Sequence, residues 1–203
     1  MHEAAVEHLC AADRRLARLV RRVGPCGLRV DRRASPYQAL VEAVAHQQLH
    51  GAAARAILAR VVALYPGRPF PTPQDLVDTP AARLRAAGFS GAKVAAVKDI
   101  AARTLAGGVP DRAGLRRWSD EEIIGRLTEL RGVGRWTVEM LLIFKLGRRD
   151  VLPVDDFGVR KGFAVVYRAG QMPRPRELRE HGERWRPYRS VAAWYLWRAA
   201  DLA

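Results

Sequence analysis

An all-α fold is predicted from three features of the 203-residue sequence. Apolar residues recur at helical spacing through most of the chain. Proline and glycine stand at the ends of those periodic runs. No pair of alternating runs is joined by a tight turn, and Gly27 to Asp31 is the only plausible extended piece.

Along the chain, Val6, Leu9, Cys10, Leu16, Leu19, Val20 and Val23 share one helical face, predicting a helix over Val6–Val23 that stops at Gly24-Pro25. Ser35-Pro36 supplies an N-cap and a proline at the first helical position, opening a helix to about Leu49. The next helix spans Ala52–Tyr65 and is stopped by Pro66-Gly67, after which Pro69 to Pro73 reads as a loop. Short and long helices follow over Pro80–Ala87 and Ser90–Leu105, with glycines after each. Ser119-Asp-Glu-Glu122 is a capping box ahead of Ile123–Leu130. Helices over Arg135–Leu146, Asp155–Arg168 and Tyr188–Leu202 complete the reading.

Composition narrows function. No run approaches the roughly 18 apolar residues that a membrane-spanning helix needs. The N-terminus carries acids and lacks the apolar stretch of a signal peptide. Cys10 and Cys26 have no metal-ligand spacing and read as free thiols of a cytoplasmic chain, one acting at the nucleoid if the source is prokaryotic. The formal net charge is +14, which suits a polyanionic partner. Of 35 basic residues 31 are arginine, and asparagine is absent. A GC-rich genome produces that bias, so the choice of arginine over lysine carries little weight, whereas the charge excess does.

Leu127-Thr-Glu-Leu-Arg-Gly-Val-Gly-Arg-Trp-Thr-Val-Glu-Met140 is the most informative segment. A helix ends, Gly132-Val133-Gly134 turns the chain, and a helix starts at once. Glycine permits positive φ and a close approach of a phosphate, and main-chain amides at a helix start favour an anion. Such a hairpin holds phosphates and does not read bases. A plain αα-hairpin has the same ingredients, so the context decides. Fifteen to twenty residues on comes Asp150-Val-Leu-Pro-Val-Asp-Asp-Phe-Gly-Val-Arg160. An aspartate after Pro-Val is commonly an N-cap. Two in a row allow Asp155 to cap while Asp156 faces a cleft.

Helix, hairpin, helix and then Pro-Val-Asp-Asp resembles the HhH-GPD superfamily of DNA glycosylases, in particular the 3-methyladenine DNA glycosylase II type. The stretches Ser35–His50 and Trp185–Trp197 extend the likeness, in collinear order, from about residue 35 to the end. The resemblance implies a single two-lobed glycosylase unit over 1–203 with an interlobe cleft and no N-terminal β domain. Its helix-hairpin-helix would lie at about 120–146 and its aspartate loop and helix at about 151–168. It implies hydrolysis of the N-glycosidic bond of alkylated purines such as 3-methyladenine and 7-methylguanine in duplex DNA by a monomer, with Asp156 as catalytic carboxylate. Alternatives are a helix-hairpin-helix glycosylase for another lesion and a non-catalytic DNA-binding module, which would need neither Asp156 nor Trp136.

The same resemblance assigns the remaining residues. Trp136, Met140, Trp197 and Gln48 would line the base pocket, with Trp136 as a wall or, failing that, as core. Lyase relatives carry lysine where this chain has Trp136, so Schiff-base chemistry is not expected. Leu49 would be the wedge that fills the stack after a base leaves, with His50 beside it; a core leucine and a surface histidine are the alternatives. Gly132, Val133, Gly134, Arg135 and Thr137 would hold DNA. Main-chain carbonyls of Thr128, Leu130 and Val133 could bind a monovalent cation. No cofactor is expected, because two N-terminal cysteines cannot hold the iron–sulfur cluster that some relatives bind through four. Trp194 and Tyr195 are expected to pack.

Overall fold

A computed structural model of the chain describes residues 2–49, 51–168 and 171–202. Among them there is no strand, and the helices are α1 (Glu3–Ala12), α2 (Arg14–Val23), α3 (Pro36–His46), α4 (Gly51–Ala63), α5 (Pro73–Asp78), α6 (Ala81–Ala86) and α7 (Gly91–Leu105). They continue as α8 (Arg112–Leu115), α9 (Asp120–Leu127), α10 (Arg135–Leu141), α11 (Phe157–Tyr167), α12 (Pro175–Gly182) and α13 (Arg189–Asp201). The all-α expectation holds, and no helix among the described residues is long and apolar enough to cross a membrane. Residues Gly27 to Asp31 are non-helical but pair with no strand. Two compact units form: Met1–Val30 with Leu142–Ala203, and Asp31–Leu141.

In the first unit, the helix expected over Val6–Val23 is broken at Asp13. That residue is extended and caps α2, its Oδ1 accepting the N–H groups of Arg15 (3.0 Å) and Leu16 (3.1 Å). The periodicity of the apolar residues survives the break, which is why the sequence reads as one helix. Asp13 is 6% exposed, and its Oδ2 accepts the Tyr167 hydroxyl (2.9 Å) and the Trp185 indole N–H (3.1 Å), with His181 Nε2 at 3.2 Å. Burial pushes this carboxyl's pKa up. The bonds from His181, the Leu16 amide, Trp185 and Tyr167 outweigh it and hold the group well below the usual carboxylate range.

α11 and α13 cross closely in this unit. A Cβ on Gly162 would collide with the main-chain carbonyl of Leu196, so only glycine fits there. Lys161 Nζ donates to the Ala200 carbonyl at 2.9 Å, and Tyr195 is buried with its hydroxyl on the Gly24 carbonyl at 3.0 Å.

In the second unit, α3 ends at His46, three residues short of the expected Leu49, and α9 at Leu127 and not Leu130. The capping boxes of α5 (Thr72 with Asp75) and α9 (Ser119 with Glu122) are both formed. Helices α5, α8 and α12 were not expected. Each contributes a single fully buried leucine (Leu76, Leu115, Leu178), too few apolar positions to register as a period.

Asp13→Ala should destabilise the chain by on the order of 3 kcal/mol in urea unfolding at neutral pH. It removes a cap and strands buried donors at Tyr167 and Trp185. Because the folded pKa lies below the unfolded one, the carboxylate's contribution is present above about pH 4 and drains away as pH falls below that. A variant as stable as wild type would show the network to be idle.

Candidate functional site

The first unit carries the carboxylate. The loop from Arg148 to Asp156 is fixed before it reaches α11. Asp150 is held by Arg189 (2.7 Å) and Arg186 (2.6 Å), while Ser190 Oγ donates to the Arg148 carbonyl (2.8 Å) and accepts the Val151 N–H (3.0 Å). Asp156 then stands as the N-cap of α11: its Oδ1 accepts the Val159 N–H at 2.7 Å and the Trp197 indole N–H at 2.8 Å. This corrects the division of labour expected from the sequence. Helix α11 begins at Phe157, so the residue poised to cap it is Asp156; Asp155 is exposed and does not cap. One half-buried carboxylate is thus anchored by a main-chain and a ring donor, which fixes its rotamer.

Gly158 makes the indole bond possible. A Cβ there would lie 2.7 Å from Trp197 Cδ1 and 3.2 Å from its Nε1. The indole also packs against Phe144, with ring centroids 5.6 Å apart at 33°. Sequence reasoning missed both residues. The Gly158-Val-Arg-Lys-Gly162 spacing, one helical turn of glycines facing another helix, was an available signal. Phe144 had none. It lies in a π turn, Leu142–Leu146, and the extra residue in such a turn rotates the residues beyond it by about 100° from α-helical phase.

The second unit carries two exposed turns. In the hairpin, Val133 donates to the Leu130 carbonyl at 3.1 Å, and its side chain is buried. The Arg131 N–H donates to Asp99 Oδ2 at 2.8 Å. The two glycines serve different ends. Gly132 has φ of 75°, and a Cβ there would stand 3.0 Å from Ala96 Cβ. Gly134 is not in the left-handed region, and no atom lies within 4 Å of where its Cβ would be. Nothing inside the unit requires glycine at 134.

Two expected contact residues are otherwise engaged. Arg135 binds Glu121 (2.6 Å) and the buried Glu139 (3.0 Å), bracing α9 against α10, and the Thr137 side chain is buried. What either offers a ligand is the main-chain N–H at the start of α10. Trp136 is 47% exposed, which excludes it from the core of its unit, and Met140 is half-buried one turn on. Of the three carbonyls considered for a cation, that of Leu130 already accepts the Val133 N–H. No cluster of His, Cys, Asp and Glu among the described residues could hold a metal.

The second turn follows α3. Gln48 is exposed with φ of 56°, a conformation that costs a non-glycine residue about 1–3 kcal/mol and persists only where surroundings enforce it. Leu49 is 39% exposed, so it is not core of its unit; His50 lies outside the described residues. Gln47 Nε2 donates to the Gly132 carbonyl at 2.8 Å, joining this turn to the hairpin.

The hairpin between α9 and α10 defines a helix-hairpin-helix protein. Residues 41–187 match the family described as HhH-GPD superfamily base excision DNA repair protein, and the chain belongs to that superfamily. It is 43% identical over 199 residues to DNA-3-methyladenine glycosylase 1 of Schizosaccharomyces pombe, covering 97% of this chain and 86% of that protein. The solved structure of the 3-methyladenine DNA glycosylase of the same yeast with abasic DNA is similar, with a TM-score of 0.88, 42% identity and 98% of each chain covered. A DNA-3-methyladenine glycosidase from Bacillus halodurans gives a TM-score of 0.88 at 35% identity, over 97% of this chain and 88% of that one.

The two hairpin glycines should part company in a stability test. Gly132→Ser should lose about 1–2 kcal/mol, being left-handed and crowded by Ala96. Gly134→Ser should stay within about 0.5 kcal/mol of wild type, since a serine there meets open space and caps a helix well. Equal losses in thermal unfolding would contradict this account of the turn.

Proposed function

We propose that the chain is a monofunctional DNA glycosylase that removes alkylated purines, 3-methyladenine and 7-methylguanine among them, from double-stranded DNA. The observation that carries the proposal is the anchored carboxylate of Asp156 in a chain of this superfamily. Alkylation at N3 or N7 leaves the purine cationic and ready to depart, so no strong acid is needed to expel it. Breaking the C1′–N bond builds positive charge on the deoxyribose, and a fixed carboxylate stabilises that charge and orients the attacking water. Water adds to C1′ and releases a proton, taken by the Asp156 carboxylate and passed to solvent; the cationic base leaves neutral with the bonding pair, and an abasic site remains.

The other side chains support this reading. A chain of net charge +14 attracts a polyanion. The exposed Trp136 offers an electron-rich face for a flipped cationic base. Tryptophan cannot form a Schiff base, so the sugar–phosphate backbone should stay intact. The open surface at Gly134 suits a phosphate on the main-chain N–H groups beyond it, and Leu49 suits the wedge. The carbonyl of Thr128, the C-cap of α9, lies at the negative pole of that helix, and with those of Leu130 and Val133 in the hairpin it suits a monovalent cation that would stiffen the turn.

Asp156→Asn is a sharp test, because the asparagine Oδ1 can keep both the cap and the bond from Trp197, while the charge is lost and the other oxygen becomes an NH2 donor. Release of methylated bases from alkylated duplex, followed by chromatography, should fall by about 10²–10³ with DNA affinity nearly unchanged. An active Asp156→Asn, or loss of activity in Asp155→Asn instead, would overturn the assignment. A wild-type protein that binds DNA and releases no base would mark a binding module.

A further inference from the structure

One side of α7 carries Lys93, Ala96 and Asp99 at helical spacing, and each meets one of the two exposed turns of its unit. Lys93 Nζ donates to the main-chain carbonyls of Ala45 (2.8 Å) and Gln47 (2.9 Å). Asp99 accepts the Arg131 N–H of the hairpin, and Ala96 lies under Gly132. Gln47 closes the ring through its bond to the Gly132 carbonyl.

The Lys93 ammonium is half-buried, and burial lowers its pKa. Both its bonds go to carbonyls, and it has no carboxylate partner among the described residues. Both carbonyls belong to the end of α3, whose C-cap is Gln47. That cap is the residue before Gln48, which is the one non-glycine residue with positive φ among the described residues, and the side chain of the same Gln47 reaches the hairpin. A strained turn held by a half-buried cation on one side and tied to the hairpin on the other restricts the orientations open to the exposed Leu49 beside it.

We propose that Lys93 is a positioning residue: with Gln47 it locks the Gln48–Leu49 turn to the Gly132 hairpin, so that the leucine enters the base stack in register with the phosphates the hairpin holds. This rests on the glycosylase reading. A wedge works against the stacked duplex, so its stiffness matters while a base is being extruded. It does not matter once the base is already out.

The test compares two duplexes of one sequence with a single 7-methylguanine, placed opposite cytosine in one and opposite a tetrahydrofuran abasic analogue in the other. Base release is measured in single turnovers. Lys93→Met should be about tenfold slower than wild type on the paired lesion, the size of one lost charge-assisted hydrogen bond, and within about twofold on the unpaired one. Lys93→Arg, which keeps donors, should recover much of the paired rate. Gln47→Met, altered only in a surface bond, should show the same selectivity and carries the test if Lys93→Met does not fold. An unchanged paired rate in folded variants, or equal losses on both duplexes, would overturn the proposal. Wild-type protein inactive on both duplexes would instead sink the glycosylase reading beneath it.

Discussion

The close crossing of α11 and α13 is the constraint on which the rest of the first unit depends. Gly162 admits the carbonyl of Leu196, and Gly158, one turn earlier, admits the indole of Trp197. With the helices that near, the indole N–H meets the carboxylate capping α11. A larger residue at either position would part the helices and take the indole N–H away from the aspartate. The ion pairs of Asp150 with Arg186 and Arg189 and the bonds of Ser190 hold the preceding loop to α13, so the same helix fixes the aspartate from both sides.

Asp13 and Asp156 show how one local motif reaches two ends. Both are N-caps, and both accept an indole N–H. Asp13 is nearly inaccessible and gathers further donors from Tyr167 and His181, so its charge is spent on holding α1, α2, α11 and the turn at Trp185 together. Asp156 keeps access to solvent. In the proposed reaction this half-buried carboxylate, held rigid by ring and main-chain donors in a strongly basic chain, is the group that meets the cationic sugar.

Much of the fold is legible in the sequence. Ser35-Pro36, Ser119 to Glu122 and the glycines at 24, 88 and 107 mark boundaries through local chemistry, and the structure keeps them. The break at Asp13 is hidden because the cap falls between two helices of compatible phase. Gln48 is opaque because its left-handed backbone follows a residue whose partners, Lys93 and Gly132, are distant in sequence. Arg135 reads as a phosphate contact until its carboxylate partners are seen. The division between Asp155 and Asp156 turns on a one-residue question, where α11 starts, that periodicity does not resolve.

The most direct test of the central claim, that the anchored Asp156 carboxylate performs base release, leaves that residue in place and disturbs only its anchor. Gly158→Ala would be assayed for single-turnover base release from alkylated duplex, with DNA affinity measured in parallel and folding checked by circular dichroism. The account predicts a folded protein that binds DNA like wild type and releases base at least about tenfold more slowly, because the added Cβ displaces the Trp197 indole. Wild-type release by a folded Gly158→Ala would show that the Trp197–Asp156 bond, and the crossing that makes it, are irrelevant to the chemistry.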